Sequence, residues 1–268
     1  LLEEDPVIQV EKNVETKQTI LKGLGDTHIE IMVDRLQRKY GVDVISREMK
    51  IPYRETIRGT VEAEGKHKKQ TGGHGQYGHV WIKFEPCEEN FVFEENVFGG
   101  SVPRNYFPAV EKGLIEAMEE GVLAGYPVTN IKATLYDGSY HSVDSSEMAF
   151  KLAARLAYKK GLEAAKPVLL EPIVNVEIEI PEVFMGDIIG DLNKRRGRIL
   201  GMNPAGGGMQ QVVAEVPEAE MFKYATDLRS MTQARGSYTI RFERYEEAPQ
   251  NVADKVIAEA KKDKEEEE

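Results

Sequence analysis

The clearest alternation of apolar and polar positions lies between residues 172 and 248. PIVNVEIEIP sets Val174, Val176, Ile178 and Ile180 on one face at period two, the mark of a strand. PEVFMGDIIGDLNKRRG changes to a helical period, with Phe184, Ile188, Ile189 and Leu192 on one side, Pro181 near its start and Gly197 at its end. RILGMN reads as a short strand, NPAGGG as a turn and MQQVVAEVP as another strand. EAEMFKYATDLRSMTQARG predicts a helix with Phe222, Ala225, Leu228 and Met231 inward, and SYTIRFERY alternates again. The order βαββαβ predicts a ferredoxin-like domain, one antiparallel sheet with two helices on one side.

The first fifty residues look like an incomplete copy of that plan. VIQVEK and QTILKGLG predict strands, DTHIEIMVDRLQRKYG a helix with Ile29, Met32, Leu36 and Tyr40 in register, and VDVISREM a closing strand. LLEEDP reads as the last turn of a preceding helix, so this domain is expected to be truncated at its start, cut from something longer. Residues 51–171 follow another pattern. HVWIKFEP and NIKATLYDG alternate as strands. RNYFPAVEKGLIEAMEEG predicts a helix with Val110, Leu114, Ala117 and Met118 inward. SSEMAFKLAARLAYKKGLEAAKP predicts a second, with Met148, Leu152 and Leu156 inward and Asp144 with Glu147 as a loose capping box. The expected organisation is α+β: domains at 1–50, 51–171 and 172–248, then a charged tail at 249–268 that forms a short helix with a frayed acidic end.

Composition narrows the function classes. The formal net charge of −11 argues against diffuse binding to nucleic acid, so any such contact must be local. A single cysteine, Cys87, rules out an internal disulfide framework and suits a reducing cytosol. No apolar run reaches the length of a membrane span.

Against that acidic background, KHKKQTGGHGQYGHVWIKF, residues 66–84, holds no Asp or Glu. Gly73, Gly75 and Gly78 fit GxGxxG, but a strand follows where the dinucleotide motif needs a helix. No phosphate-gripping GxxxxGK[ST] loop occurs. His67, His74 and His79 lack the tight spacing and the cysteine or carboxylate help usual for zinc. The better use of these glycines is a loop whose backbone, lysines and histidines approach a phosphate-bearing surface; the ordinary use is a solvated hairpin. LYDGSYHSVDSSE crowds Asp137, Ser139, His141, Asp144, Ser145 and Ser146 into one loop. A turn and a helix cap explain most of these better than a hydrolase triad does, and leave His141 unexplained. Lys151, Arg155 and Lys159 make a basic stripe that reads as a solvated helix face. Arg195, Arg196 and Arg198 exceed what a helix end needs and point to RNA.

TGGHGQYGHV, GGSVPRNYFPAVEKG, TLYDGSYHSVDSSEMAFKLA, EPIVNVEIEIPEVFMGDIIGDLNKRRGRILGM and AEMFKYATDLRSMTQARGSY, in this order, closely resemble the C-terminal half of bacterial elongation factor G, from about residue 1 to 248. The resemblance implies a translational GTPase that moves transfer RNA and messenger RNA through the ribosome. It implies domains three, four and five here, with the GTPase and second domains absent in cis. GTP and Mg would belong to the full-length parent; no cofactor and no catalytic residue is expected in this portion. Domain four is expected to have the second-domain fold of the fifth small-subunit ribosomal protein, with a left-handed βαβ crossover. Its tip is expected to enter the decoding centre through Gly72, Gly73, His74, Gly75, Gln76, Tyr77 and Gly78, and through Asp137, Gly138, Ser139, Tyr140 and His141. Tyr77 or His74 would stack on a base. Lys194, Arg195, Arg196 and Arg198 are implied ribosomal RNA contacts. The expected partners are 16S and 23S RNA and the tRNA–mRNA pair, for a cytoplasmic, monomeric protein with no metal and no membrane. GLGDTHIEI, His74, NPAGGGMQQVV and the acidic tail depart from the family pattern and suggest a divergent member; the alternative role is a specialised form acting in ribosome recycling or regulation.

Overall fold

A computed structural model of the chain describes residues 2–13, 16, 18–47, 49–70 and 75–267. The elements run β1 (Gln9–Lys12), β2 (Thr19–Lys22), α1 (Asp26–Tyr40), β3 (Arg54–Ile57), β4 (Val61–Lys69), β5 (Gln76–Pro86) and β6 (Phe91–Glu95). They continue with α2 (Phe107–Ala117), β7 (Ile131–Ser139), α3 (Glu147–Ala164), β8 (Pro167–Pro181) and α4 (Met185–Lys194). The last are β9 (Arg198–Gly206), β10 (Met209–Pro217), α5 (Tyr224–Met231), β11 (Ser237–Glu247) and α6 (Gln250–Glu267). Contacts gather into two units: Leu1–Pro52 with Pro172–Tyr245, and Tyr53–Glu171 with Glu246–Glu268.

In the first unit the later strands lie in the order β11-β8-β10-β9. Numbered within the βαββαβ motif this is 4-1-3-2, the ferredoxin-like arrangement. Val174, Val176, Ile178 and Ile180 of β8 are buried with Ile188 and Leu192 of α4 and with Tyr224 and Leu228 of α5. The second helix is shorter than its sequence suggests. Lys223 takes φ +57°, so a 3-10 turn at Glu218–Met221 stops before α5 begins. Met221 and Tyr224 are buried, while Phe222, expected inside, is exposed. Tyr224 fills the place through its edge-on contact with Tyr238, the ring centres 5.1 Å apart.

The first segment of this unit departs further from expectation. β1 and β2 pair antiparallel, and α1 ends on Gly41 in the left-handed region. The closing strand expected over residues 42–49 is not formed among its described residues. Alternation suits a strand only where a sheet edge accepts its amides, and Val42, Val44 and Ile45 remain exposed. Residues 2–4 form a turn, from which Glu4 pairs with Lys39 and Asp5 with His28 along α1. Arg229 of α5 donates to the Leu24 carbonyl at 3.0 Å, tying this segment to the ferredoxin-like part.

In the second unit the sheet order is β4-β5-β7-β6, with β6 parallel to β7 across the α2 connection. Val80, Ile82 and Phe84 of β5 and Ile131, Ala133 and Leu135 of β7 are fully buried beneath α2 and α3. On α2 the expected inward residues are buried. On α3 they are not: Met148 is 58% exposed and Leu156 is exposed as well. The buried face is instead Ala149, Phe150, Ala153, Ala154, Ala157, Tyr158, Gly161 and Leu162. The cause is close backbone approach. A Cβ on Gly65 of β4 would stand 1.9 Å from the Ala153 carbonyl oxygen, and one on Gly78 of β5 2.4 Å from that of Ala149. Small residues face small residues where the backbones meet, Phe150, Tyr158 and Leu162 fill the core beside them, and Met148 and Leu156 are turned outward.

Two further contacts complete this unit. Glu55 is buried, and its carboxylate accepts the amides of Leu123, Ala124 and Tyr126 at 2.8, 2.8 and 3.1 Å, shaping the turn before β7. The charged tail belongs here too: Ala248, Ala253 and Val256 are buried, and Arg58 pairs with Glu247.

Gly65→Ala is expected to destabilise this unit by about 1–3 kcal/mol, because helix backbone rather than a flexible side chain must yield. Chemical denaturation of the variant against the unaltered chain measures the loss. A second prediction concerns Glu215, held by Arg244 at 2.7 and 2.8 Å and also by Arg198. These guanidinium groups, Arg244 foremost, pull its carboxyl down to about 2. The folded value lies below the unfolded one, so the stabilisation is complete above about pH 4.5 and is lost as pH falls towards about 2. Glu215→Gln should cost about 1–2 kcal/mol at neutral pH. In denaturation series across that window the gap to the unaltered chain should close.

Candidate nucleic-acid interface

β4 and β5 pair from Val61↔Phe84 to Lys69↔Gln76, so Gln70 and Gly75 lie at one end of the sheet. β7 reaches the same end, its last pair with β5 being His79↔Ser139. Residues 140–146 therefore emerge beside the hairpin. Gly72, Gly73 and His74 lie outside the described residues.

The two loops are bonded to each other. The Gly75 amide donates to Asp144 Oδ1 at 3.0 Å, and the Tyr77 amide to the Asp144 carbonyl at 2.8 Å. The Ser145 hydroxyl donates to the Tyr77 carbonyl at 2.9 Å, and its oxygen accepts the His141 amide at 2.8 Å. His141 Nδ1 accepts the amides of Val143 and Asp144 at 3.3 and 3.2 Å. That leaves the proton of the neutral ring on Nε2, and the ring is half exposed. Ser146, rather than Asp144, caps α3 by accepting the Ala149 amide. Asp144 is thereby free to join the loops, and its carboxylate is satisfied by backbone amide rather than presented to a partner. Gln76 bonds His67 at 2.8 Å, and Tyr140 is exposed.

Gly78, expected at a flexible tip, is a strand residue where α3 sits. Asp137 and Gly138 also lie within β7, and the Gly138 amide, with a smaller effect of the Ser101 hydroxyl, holds the Asp137 carboxyl below the usual carboxylate range. Behind the loops, on the sheet face away from the helices, Tyr77 OH and His79 Nδ1 share the Ser139 hydroxyl at 2.7 and 2.8 Å. Glu64 Oε1 is 2.9 Å from His79 Nε2 but off the direction of a hydrogen bond. Hydroxyl, imidazole and carboxylate do line up here, yet the hydroxyl is engaged by Tyr77 and the carboxylate is off the hydrogen-bond direction of the ring. The arrangement braces the base of the loops. Lys66 reaches over the Tyr77 ring at 5.9 Å, and the His141 ring stands 6.3 Å from the same ring. Among the described residues no three His, Cys, Asp or Glu side chains gather as metal ligands.

A third loop, residues 96–103, lies beside these two and went unnoticed in the sequence. The Asn96 amide bonds the Leu135 carbonyl at 2.8 Å, and Val102 is buried against Gly138. Between those anchors Phe98 is 93% exposed. The available signal was a large aromatic before Gly-Gly in a stretch with neither strand nor helix period.

Three family models divide the chain: Elongation Factor G, domain III over residues 1–48, Elongation factor G, domain IV over 49–166, and Elongation factor G C-terminus over 168–256. The chain belongs to the elongation factor G family. A crystal structure of a Thermus thermophilus protein is 47% identical and superposes with a TM-score of 0.89, a match covering 97% of this chain and 39% of that one. The chain thus spans well under half the length of that relative.

The bonded loops belong to the part matched by elongation factor G domain IV; the basic run lies in the part matched by the elongation factor G C-terminus. There the four cations differ. Arg195 donates to Asp191 at 2.7 Å, to Asp227 at 2.5 Å and to the Glu220 carbonyl at 2.6 Å, and stacks on Tyr224. Each of its three side-chain nitrogens is engaged within the domain. Arg196 takes φ +59° and bonds Glu220. Arg198 pairs with Glu215 yet stays exposed, as does Lys194. No helix among the described residues is long and apolar enough to cross a membrane.

Asp144→Ala should loosen the hairpin at Gly75 while the Tyr77 amide and carbonyl stay bonded to the second loop. Losing one charge-assisted bond predicts amide exchange at Gly75 faster by roughly tenfold, with the sheet core unchanged, as read by hydrogen exchange.

Proposed function

We propose that this chain is the ribosome-engaging part of a translational GTPase of the elongation factor G family and promotes movement of tRNA and mRNA. Two loops distant in sequence are locked into one prong by Asp144, and that lock is the observation that carries the reading. A prong that bears on a tRNA–mRNA pair must be stiff, free of presented carboxylates and small at its end. The hairpin supplies exposed Lys66, Lys68 and Lys69, and the second loop supplies Tyr140 and His141. Cations on the arms release counterions from RNA phosphate, while the acidic body disfavours diffuse attachment. In the C-terminal domain Lys194 and Arg198 are the proposed ribosomal RNA contacts, and Arg195 and Arg196 support them from within. This portion performs no chemistry; GTP hydrolysis is assigned to domains outside it, and the protein works in the cytoplasm with 16S and 23S RNA.

The test places the chain in a complete factor, joined to a GTPase half of the same family. His141→Ala should slow single-round translocation by roughly tenfold, about the worth of one exposed ring or hydrogen bond to RNA. GTP turnover on ribosomes is followed in parallel. Translocation at the unaltered rate would remove His141 and its loop from the mechanism.

A further inference from the structure

We propose that Phe98 is a base-stacking residue, a third contact of the same prong that takes an unpaired RNA nucleobase; this rests on the ribosome-engaging reading above. The ring is 93% exposed although the loop carrying it is well anchored. Before it, the Asn96 amide is bonded to β7 at Leu135; after it, Val102 is 1% exposed in the core beside Gly138. β7 is the strand that runs on to Ser139 and the second loop. Phe98 is therefore positioned by the same strand as Tyr140 and His141. Gly99 and Gly100, with φ +66° and +73°, turn the chain immediately after the ring, and added Cβ atoms there would meet nothing. The backbone thus presents the side chain outward instead of folding it home.

The surroundings favour a nucleobase over an apolar protein pocket. Tyr140 is 51% exposed and Val143 62%; Arg104 is exposed six residues after Phe98, and Lys66, Lys68 and Lys69 are exposed on β4, at the other edge of the same sheet. Flat rings among cations match single-stranded nucleic acid, which offers π-faces between phosphates. Of the neighbouring carboxylates, Asp144 is engaged by Gly75 and Glu94 by Lys132 at 2.9 Å, while Glu95 at the end of β6 and Glu147 at the start of α3 are exposed.

The experiment measures binding of the 268-residue chain to ribosomes carrying an mRNA, for the unaltered chain, Phe98→Ala and Phe98→Trp. A fourth variant with p-benzoylphenylalanine at position 98 maps what the ring touches. Phe98→Ala should weaken binding by roughly 5- to 150-fold, the range for losing one stacked base. Phe98→Trp should restore it, and the salt dependence should not change, since no phosphate contact is lost. The crosslink should fall on RNA. Binding of Phe98→Ala within about twofold of the unaltered chain, or a crosslink confined to ribosomal protein, overturns the stacking role and leaves the wider reading standing. No binding by the unaltered chain overturns both.

Discussion

The domain IV part of this protein depends on the contact of α3 backbone with the backbone of β4 and β5. At Gly65 and Gly78 there is no room for a methyl group, and the helix answers with Ala149, Ala153 and Ala157. Dispersion and burial act at the shortest range two chains permit, so α3 has little freedom to slide. The consequence reaches the loops. Residues 140–146 lead directly into α3, and Ser146 caps its first turn. With Ala149 seated on Gly78, Asp144 is delivered to the Gly75 amide and Ser145 to the Tyr77 carbonyl. Helix seating and loop closure are one constraint.

Electrostatics is arranged so that the exposed end stays cationic without becoming unsatisfied. Two carboxylates near it are engaged from within: Asp144 by the Gly75 amide and Asp137 by that of Gly138. Bonds between a carboxylate and backbone N–H are charge-assisted and local, so they stiffen the loops. The same internal pairing explains Arg195 in the other unit. Its fork is divided among Asp191, Asp227 and the Glu220 carbonyl, which joins α4 to α5 and leaves outward contact to Lys194 and Arg198.

Much of the fold was legible because alternation reports burial on a sheet directly. Val174 to Ile180 and Val80 to Phe84 needed no further information. The failures have specific physical causes. On α3 two stripes carry apolar residues; hydrophobicity alone favoured Met148, Leu152 and Leu156, whereas close approach selected the stripe that places alanines beside Phe150, Tyr158 and Leu162. The stretch after Gly41 alternates like a strand, but pairing is a property of two chains. Near α5, Lys223 in the left-handed region interrupted the helix and put Met221 and Tyr224 inside in place of Phe222, a backbone event that residue type does not announce. In the candidate site, the convergence of the hairpin with the His141 loop was expected from the family resemblance. Asp144 was read as part of a cap because local spacing favours that use, and its partner Gly75 is remote in sequence. Phe98 stood outside every periodic segment, and only its exposure reveals it.

The row of Ser139, His79 and Glu64 shows how residues of catalytic type can brace the base of two loops. A nucleophile must be free to attack and its oxyanion must be received by donors placed for it. Here the hydroxyl is shared between Tyr77 and His79, and Tyr77 is held at its amide and carbonyl by the second loop. Each bond of the chain braces one of the two loops against the sheet, so displacing Ser139 towards a substrate would break the support of the prong itself. Residues that resemble a catalytic set serve instead as struts, and what they hold out to solvent is a stiff surface of rings and ammonium groups.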